Sequence, residues 1–400
     1  IILQKSFDRA RGFATEILQG ERERMVGVGS EAQKYVWEGA IPLQIHLHES
    51  EITTLPSPEP ALILAPRIGY LPLLVPQIKP YFSDTLPPGV DTVWFDFKGM
   101  PLKWYIPTGV LFDLLCLEPE RPWNLTVHFR GYPGDLLSPC EGEDSVKWSY
   151  INSLKEVRAA YIINGNSKNV MNMSQIDQFE LWRSVLNREM EAYLRISSKL
   201  KLGIVGEDYT KIVMSPRQSN NEADSVGPSR AGRIPVRLYV RNVGEYTDDL
   251  EDVPPVDSWD RICYMNKPVE IQREEGKIFN LYDAIKMLLP EFFPDEPSID
   301  EELSKLELED EPGIGGSNLS DPDPDTNTVR KTELVTVKNE TQLYPSHPTG
   351  KSEIKLVRIQ GIEPKLDIPF SWVITNLINP EHFLHICVCV GVSQDPSKTS

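Results

Sequence analysis

The chain has 400 residues and a formal net charge of −18 at pH 7, with 40% hydrophobic and 25% charged residues. This length allows two or three domains, each with its own core. No run reaches the ~18 apolar residues of a membrane-spanning helix, and no basic stripe suits a phosphate backbone, so a membrane span and nucleic-acid binding are both excluded.

Hydrophobic alternation predicts strands in the first third of the chain. Ile41, Leu43, Ile45 and Leu47 alternate with Pro, Gln and His, which is typical of a strand with one buried face. The next predicted elements are a strand over 61–66, a helix over 71–78, strands over 93–97 and 102–106 joined by a turn at Lys98-Gly99, a helix over 108–117 capped by Thr108, and a strand over 123–129. This order is that of the ubiquitin-like β-grasp fold.

Helical spacing replaces the alternation in the middle of the chain. One apolar stripe has helical intervals and consists of Val146, Tyr150, Leu154, Val157 and Tyr161. Ser174, followed three residues later by Asp177, predicts the start of a second helix. The buried face of that helix is expected to carry Phe179, Trp182, Leu186 and Tyr193.

The last part of the chain repeats the first. Gly39–Leu47 matches Gly232–Val240, and Gly99–Leu115 aligns without a gap onto Gly361–Leu377. Two matched blocks in the same order indicate one structural unit used twice. The second unit is therefore predicted to contain strands over 234–240, 261–271, 354–360 and 383–390, and helices over 280–289 and 369–377.

These elements predict an α+β protein in which two ubiquitin-like β-grasp domains flank a helix-rich domain. The expected segments are an N-terminal extension over 1–34 (with Met25 as the natural initiator), the first ubiquitin-like domain over 35–135, the helix-rich domain over 136–214, a linker over 215–231, the second ubiquitin-like domain over 232–392, and a tail over 393–400. Residues 290–350, inside the second domain, are rich in Asp, Glu, Pro, Gly and Ser. This composition buries little apolar surface, so we expect a disordered acidic insertion there.

Three sequence patterns could carry chemistry, but a structural reading explains each of them. Cys387 and Cys389 alternate on one strand, where no cation or helix N-terminus would activate a thiolate. His46 and His48 lack a second pair of metal ligands, and residues 313–316 lack the Lys-Ser/Thr of a phosphate-binding loop. We therefore predict no catalytic residue, no metal site and no cofactor. The five cysteines are expected to be reduced thiols.

Four longer blocks carry a resemblance to a known family. They read LAPRIGYL over Leu64–Leu71, KWYIP over Lys103–Pro107, PWNLTVHF over Pro122–Phe129, and HFLHI over His382–Ile386. From about residue 37 to residue 390 the chain resembles the autophagy protein 5 family, and in particular its land-plant branch. The resemblance implies two ubiquitin-like domains around a helix-rich domain, the arrangement that the internal repeat predicts independently.

The resemblance also implies a modification site. Lys155, in the sequence NSLKE over Asn152–Glu156, matches the family's acceptor of an isopeptide bond with the C-terminus of autophagy protein 12, a ubiquitin-like protein. Lys155 lies one position off the apolar stripe, so we expect it to face solvent, flanked by Ile151 and Arg158.

The resemblance further implies a scaffold and not an enzyme. Its expected partners are autophagy protein 12 (covalent), a helix of autophagy protein 16 (non-covalent), and E1-like and E2-like enzymes (transient). The assembled complex would act like an E3 ligase, promoting transfer of autophagy protein 8 onto phosphatidylethanolamine. The expected location is the cytoplasm and, peripherally, the preautophagosomal membrane. Two alternatives stay open: a ubiquitin-conjugating-type enzyme with a catalytic Cys, and a ubiquitin-like adaptor without a covalent partner.

Overall fold

A computed structural model describes residues 31–86, 88–89, 91–160, 168–200, 233–243, 253–271, 278–293 and 352–392. The predicted linker and tail lie outside the described residues, as do residues 1–30 of the extension and residues 294–350 of the acidic insertion. Residues 31–38 form a helix, α1, that includes the last part of the predicted extension. The amide of Gln33 in α1 donates to the carbonyl of Thr375 (2.7 Å), so α1 packs against the second ubiquitin-like domain.

In its described residues, the first ubiquitin-like domain is a five-stranded sheet with two α-helices. Its elements are β1 (Ala40–Leu47), β2 (Ala61–Pro66), α2 (Val75–Phe82), β3 (Trp94–Phe97), β4 (Met100–Pro101), α3 (Thr108–Leu115) and β5 (Trp123–His128). The strand order is β2-β1-β5-β3-β4, with β1 and β5 parallel and the other pairs antiparallel. Ile41, Leu43, Ile45 and Leu47 of β1 are buried and the residues between them are not, as the alternation predicts.

Three details of this domain differ from the prediction. A 3-10 turn over Leu71–Leu74 precedes α2, so the α-helix begins four residues later than expected. Residues 102–106 form a loop and not a strand, because the chain turns before α3, where the Ile106 N–H donates to the carbonyl of Lys103. Thr108 is the first residue of α3 and not its cap; its hydroxyl donates to the carbonyl of Gly69.

The second ubiquitin-like domain confirms the internal repeat. Its elements are β6 (Arg233–Asn242), β7 (Ile262–Glu270), α8 (Leu281–Leu288), β8 (Ser352–Arg358), α9 (Phe370–Leu377) and β9 (Leu384–Val392). The strand order β7-β6-β9-β8 corresponds to β2-β1-β5-β3 of the first sheet. The repeat extends to backbone angles, since Lys98-Gly99 has φ of 51° and 85° and Gln360-Gly361 has φ of 53° and 76°. Both turns thus need a left-handed backbone at two positions, and the repeat places glycine second in each.

The described part of the middle domain contains four helices. They are α4 (Glu143–Ala160), α5 (Lys168–Met171), α6 (Gln175–Leu186) and α7 (Met190–Lys199). Val146, Tyr150 and Leu154 of the predicted stripe are buried, whereas the Val157 side chain and Tyr161 lie outside the described part. Ser174 caps α6 as predicted, its hydroxyl oxygen accepting from the Asp177 N–H (3.1 Å).

The predicted buried face of α6 is wrong at two positions. Trp182 is buried, but Phe179 is 54% and Leu186 39% exposed. The prediction assumed one continuous helix through Tyr193. Arg188, with φ of 59°, instead interrupts the chain between α6 and α7, so Tyr193 is buried on a separate helix with its own phase.

Within the described residues, two large hydrophobic cores and a small cluster of Leu117, Val243 and Cys389 hold the domains together. The first large core contains side chains of α1, the middle domain and the second ubiquitin-like domain, together with Ile68 and Tyr70 of the first. The other fills the first ubiquitin-like domain and reaches Tyr239, Ile262 and Cys387 of the second. Phe292, inside the predicted acidic insertion, is buried in the first of these cores, so the ordered chain continues past residue 290. Each core crosses a domain boundary, which fixes the domains against one another.

Candidate acceptor site

Lys155 lies on α4, five residues before that helix ends at Ala160. The structure places it half-buried, less open to solvent than the spacing predicts. Ile151, one turn earlier, is fully buried and does not flank the amine at the surface, while the side chain of Arg158 lies outside the described residues. The buried face of α4 is therefore wider than the predicted stripe, and Lys155 sits at its edge. Among the described residues, no acidic group forms an ion pair with Lys155.

The residues on both sides of Lys155 contact the second sheet. Arg237, on β6, donates from Nη2 to the Ser153 hydroxyl (3.3 Å), and the same nitrogen lies 3.6 Å from Oε2 of Glu156. The other carboxylate oxygen of Glu156 accepts from the amide of Asn266 on β7 (3.1 Å). The helical turn that carries Lys155 is therefore attached to the sheet at two points.

A buried carboxylate lies behind this contact. Glu381 accepts from Nη1 of Arg237 (2.8 Å), from Nε2 of His385 (2.7 Å) and from the hydroxyl of Tyr70 (3.1 Å). The hydroxyl of Tyr239 donates to Nδ1 of His385 (3.3 Å), which fits a neutral imidazole whose proton is on Nε2. Because Tyr70 belongs to the first domain and Arg237 to the second, the network joins both of them to α4.

Burial and charge oppose each other in this network. Burial by itself would raise the pKa of Glu381, but the charge of Arg237 and the hydrogen bonds from His385 and Tyr70 lower that pKa to about 2. Burial lowers the pKa of His385, although Glu381 acts in the opposite direction. Glu381 is therefore charged and His385 neutral at pH 7, which is the state that the hydrogen bonds require.

The thiols and histidines considered for chemistry occupy structural positions. Burial raises the pKa of Cys389 to about 11 and also raises the pKa of Cys387, whose thiol donates to the carbonyl of Val110 in α3. His46 is exposed on β1, whereas Nδ1 of His48 accepts from Ser50 at the start of a 3-10 turn. Within the described residues no three metal-ligating side chains converge, and the predicted pattern over 313–316 lies outside them.

An apolar groove of about 650 Å³ runs between the first domain and the helices. Its walls include Leu73 and Val75 before and in α2, Val93 before β3, Cys140, and Leu186 at the end of α6. Leu186, which the sequence analysis had assigned to a buried face, is exposed because it lines this groove.

Comparison with known proteins matches all three domains to one family. The matching profiles are described as the autophagy protein ATG5 UblA domain (residues 36–129), alpha-helical bundle region (143–203) and UblB domain (233–388). Autophagy protein 5 of Arabidopsis thaliana is 56% identical over 371 residues, covering 92% of this chain and all of the relative. Autophagy protein 5 of Oryza sativa subsp. indica is 52% identical over 385 residues, covering 95% and 99%.

The chain belongs to the autophagy protein 5 family. Its identity to the Arabidopsis and rice relatives confirms the resemblance to the land-plant branch. The crystal structure of Kluyveromyces marxianus Atg5 covers 90% of this chain and 99% of its own, with a TM-score of 0.51 and 16% identity. That likeness supports the fold of this autophagy protein 5 family member. In the described part of the chain, no helix has the length and apolar character to cross a bilayer.

Sequence reasoning missed Arg237 and Glu381. The repeat aligns Arg237 with Gln44 of β1, which is half-exposed, so a polar residue at this strand position is expected to face solvent. One signal in the sequence pointed to a buried charge: Glu381 is an acidic residue that immediately precedes the HFLHI block and the last predicted strand.

Proposed function

We propose that the protein is a non-catalytic scaffold of autophagy, and that Lys155 accepts the C-terminus of autophagy protein 12 in an isopeptide bond. Membership of the autophagy protein 5 family supports the role in autophagy. The observation that carries the acceptor assignment is the position of Lys155 at the edge of the buried face of α4, on a turn attached to the second sheet at two points.

The chemistry needs little from the acceptor besides position. The Nζ lone pair attacks the carbonyl carbon of a thioester on the E2-like enzyme, the C–S bond breaks and the enzyme's thiolate leaves. The amine loses its proton as the C–N bond forms. A lysine amine is ordinarily protonated at neutral pH, so the E2-like enzyme must supply the base. The acceptor has to present Nζ in one reproducible place.

Substitution of Lys155 tests the assignment. Lys155→Arg keeps the positive charge but removes the primary amine, so the adduct with autophagy protein 12 should disappear from reducing gels. Lys147→Arg, on the same helix, is the matched control and should retain the adduct. An adduct in the Lys155→Arg variant, mapped by mass spectrometry to another lysine, would contradict the assignment.

The state of the thiols supports the scaffold over a conjugating enzyme. A catalytic thiol must ionise near neutral pH, and burial raises the pKa of Cys116 to about 12 as well as those of Cys387 and Cys389. Alkylation of the native protein with iodoacetamide should therefore leave its conjugation to autophagy protein 12 intact. Loss of conjugation would favour the enzyme, whereas the absence of any adduct in cells would favour the non-covalent adaptor.

We also propose that the groove between α2 and α6 binds the helix of autophagy protein 16. Its lining is mainly apolar and also includes the carboxylates of Glu141 and Glu143, which suits an amphipathic helix with basic flanks. The complex would then promote transfer of autophagy protein 8 onto phosphatidylethanolamine at the preautophagosomal membrane, to which a cytoplasmic scaffold binds peripherally.

Calorimetry with a peptide of that helix tests the groove. Leu186→Asp places a charge in the apolar wall and should abolish binding. Ile176→Asp changes an apolar residue of the same helix that is 68% exposed outside the groove, so binding should persist. Equal binding by both variants would show that the helix binds elsewhere.

A further inference from the structure

The turn of α4 that carries Lys155 lies near a helix end. The last four carbonyls of a helix have no intrahelical donor, so the final turns open more readily than the middle. Lys155 is five residues from Ala160. The position of its amine therefore depends on what holds this part of α4.

Among the described residues, two side chains of the second sheet hold this part of α4. Arg237 contacts residues 153 and 156 on the two sides of the lysine, and Asn266 contacts residue 156 again. Arg237 and Asn266 are directly paired across β6 and β7. Both contacts thus come from neighbouring positions on one rigid sheet.

Arg237 has little freedom of its own. Its guanidinium lies 3.7 Å from the ring centroid of Phe383, and Nη1 donates to the buried carboxylate of Glu381. Its side chain is only 13% exposed. The other terminal nitrogen, Nη2, is thereby directed at α4, and the position of α4 is linked to the network that joins the domains.

We infer that Arg237 is a positioning residue for conjugation, which sets where the helix presents the amine of Lys155 to the incoming thioester. The inference rests on the proposed role of Lys155 as the acceptor. Arg237 touches neither the thioester nor the amine; it acts through Ser153 and Glu156. An arginine serves here because one planar group can contact Glu381 and two positions of α4 at once.

The test is single-turnover transfer of autophagy protein 12 from its preformed thioester on the E2-like enzyme to the full-length protein. Arg237→Lys keeps the charge beside Glu381 but cannot span the three contacts. We expect the transfer rate at saturating protein to fall about 10- to 100-fold, the cost of misplacing a reacting group by roughly 1 Å. The protein concentration at half-maximal rate should not change, since the surface that the E2-like enzyme binds is intact.

Arg358→Lys is the matched control. Arg358 is also buried and crosses between domains, donating to the carbonyls of Cys116 and Leu117 (2.6 Å each). Within the described residues, its hydrogen bonds and its ion pair with Glu363 do not involve α4. The Arg358→Lys variant should therefore receive autophagy protein 12 at the wild-type rate. Equal losses in the two variants would mean that Arg237 contributes only to stability, and a wild-type rate in Arg237→Lys would overturn the inference directly.

Two further variants separate the remaining outcomes. If Arg237→Lys does not fold, Asn266→Ala removes the other contact to Glu156, and a lower transfer rate supports the inference while an unchanged one refutes it. Lys155→Arg is measured in parallel. If the Lys155→Arg variant still forms the adduct, the acceptor assignment has failed. If Lys155→Arg loses the adduct and Arg237→Lys transfers at the wild-type rate, only the positioning role is refuted.

Discussion

The buried carboxylate of Glu381 allows a quantitative test of how the domains are held together. Its side chain is 2% exposed and accepts hydrogen bonds from Arg237, His385 and Tyr70. Glu381→Gln preserves the size of the side chain but removes its charge. It also replaces one accepting oxygen with an NH₂ group, which must then face a donor.

Two arguments give the expected loss in the free energy of unfolding. Removing one partner of a buried ion pair leaves the other charge uncompensated and costs about 3–5 kcal/mol. Independently, the fold lowers the pKa of Glu381 from 4.5 to about 2, because Arg237 and the other donors outweigh the effect of burial, and this corresponds to about 3 kcal/mol in favour of the charged form. We therefore expect Glu381→Gln to reduce the free energy of unfolding by about 3–4 kcal/mol, a large part of the total for a typical domain.

Equilibrium urea unfolding at pH 7.5, followed by tryptophan fluorescence and far-UV circular dichroism, measures this loss. Coincidence of the two signals tests whether the joined domains unfold together. The control is Glu353→Gln, since Glu353 pairs with Lys355 at the surface and is 70% exposed; its urea midpoint should equal that of the wild type. A loss below about 1 kcal/mol in Glu381→Gln would refute the account of the network.

Three further predictions concern other parts of the molecule. Stability should fall as the pH drops below 6.5, because burial lowers the pKa of His385 and the unfolded chain therefore takes up the proton first. It should fall again below 4.5, where Glu381 is protonated in the unfolded chain but still charged in the folded one. Urea midpoints between pH 7.5 and 4 measure both declines, and His385→Gln should remove the first. Gly361→Ala should reduce the free energy of unfolding by at least about 1 kcal/mol more than Gly99→Ala. Both glycines have a left-handed backbone, but only at residue 361 would a Cβ lie 2.6 Å from a buried guanidinium, that of Arg67. Equal melting temperatures of the two variants would contradict this. Replacing residues 294–350 with a short Gly/Ser linker should preserve the melting temperature and the adduct; a large loss of either would refute the prediction that this segment is dispensable for folding.

Local patterns determined the elements and their order. The alternation along β1 buries its apolar side chains because a strand places successive residues on opposite faces. The matched blocks indicated two copies of one unit, and the two left-handed turns at Gly99 and Gly361 show that the copies share even their backbone angles. The capping pair at Ser174 began α6 as predicted, because that hydrogen bond is local. The face of α6 was wrong because Arg188 interrupts the helix, and a single sequence does not mark that break.

Only the tertiary structure decided which polar faces are covered. Gln44 and Arg237 occupy equivalent positions in equivalent strands, and alternation places both on the polar side of a sheet. In the first domain that side is open, with Leu62 beside Gln44 still 65% exposed. In the second domain α4 and the first domain cover it, so Arg237 is only 13% exposed, pairs with Glu381 and reaches Ser153. Periodicity determines which residues share a face, whereas the packing of distant segments determines whether that face meets water or another domain.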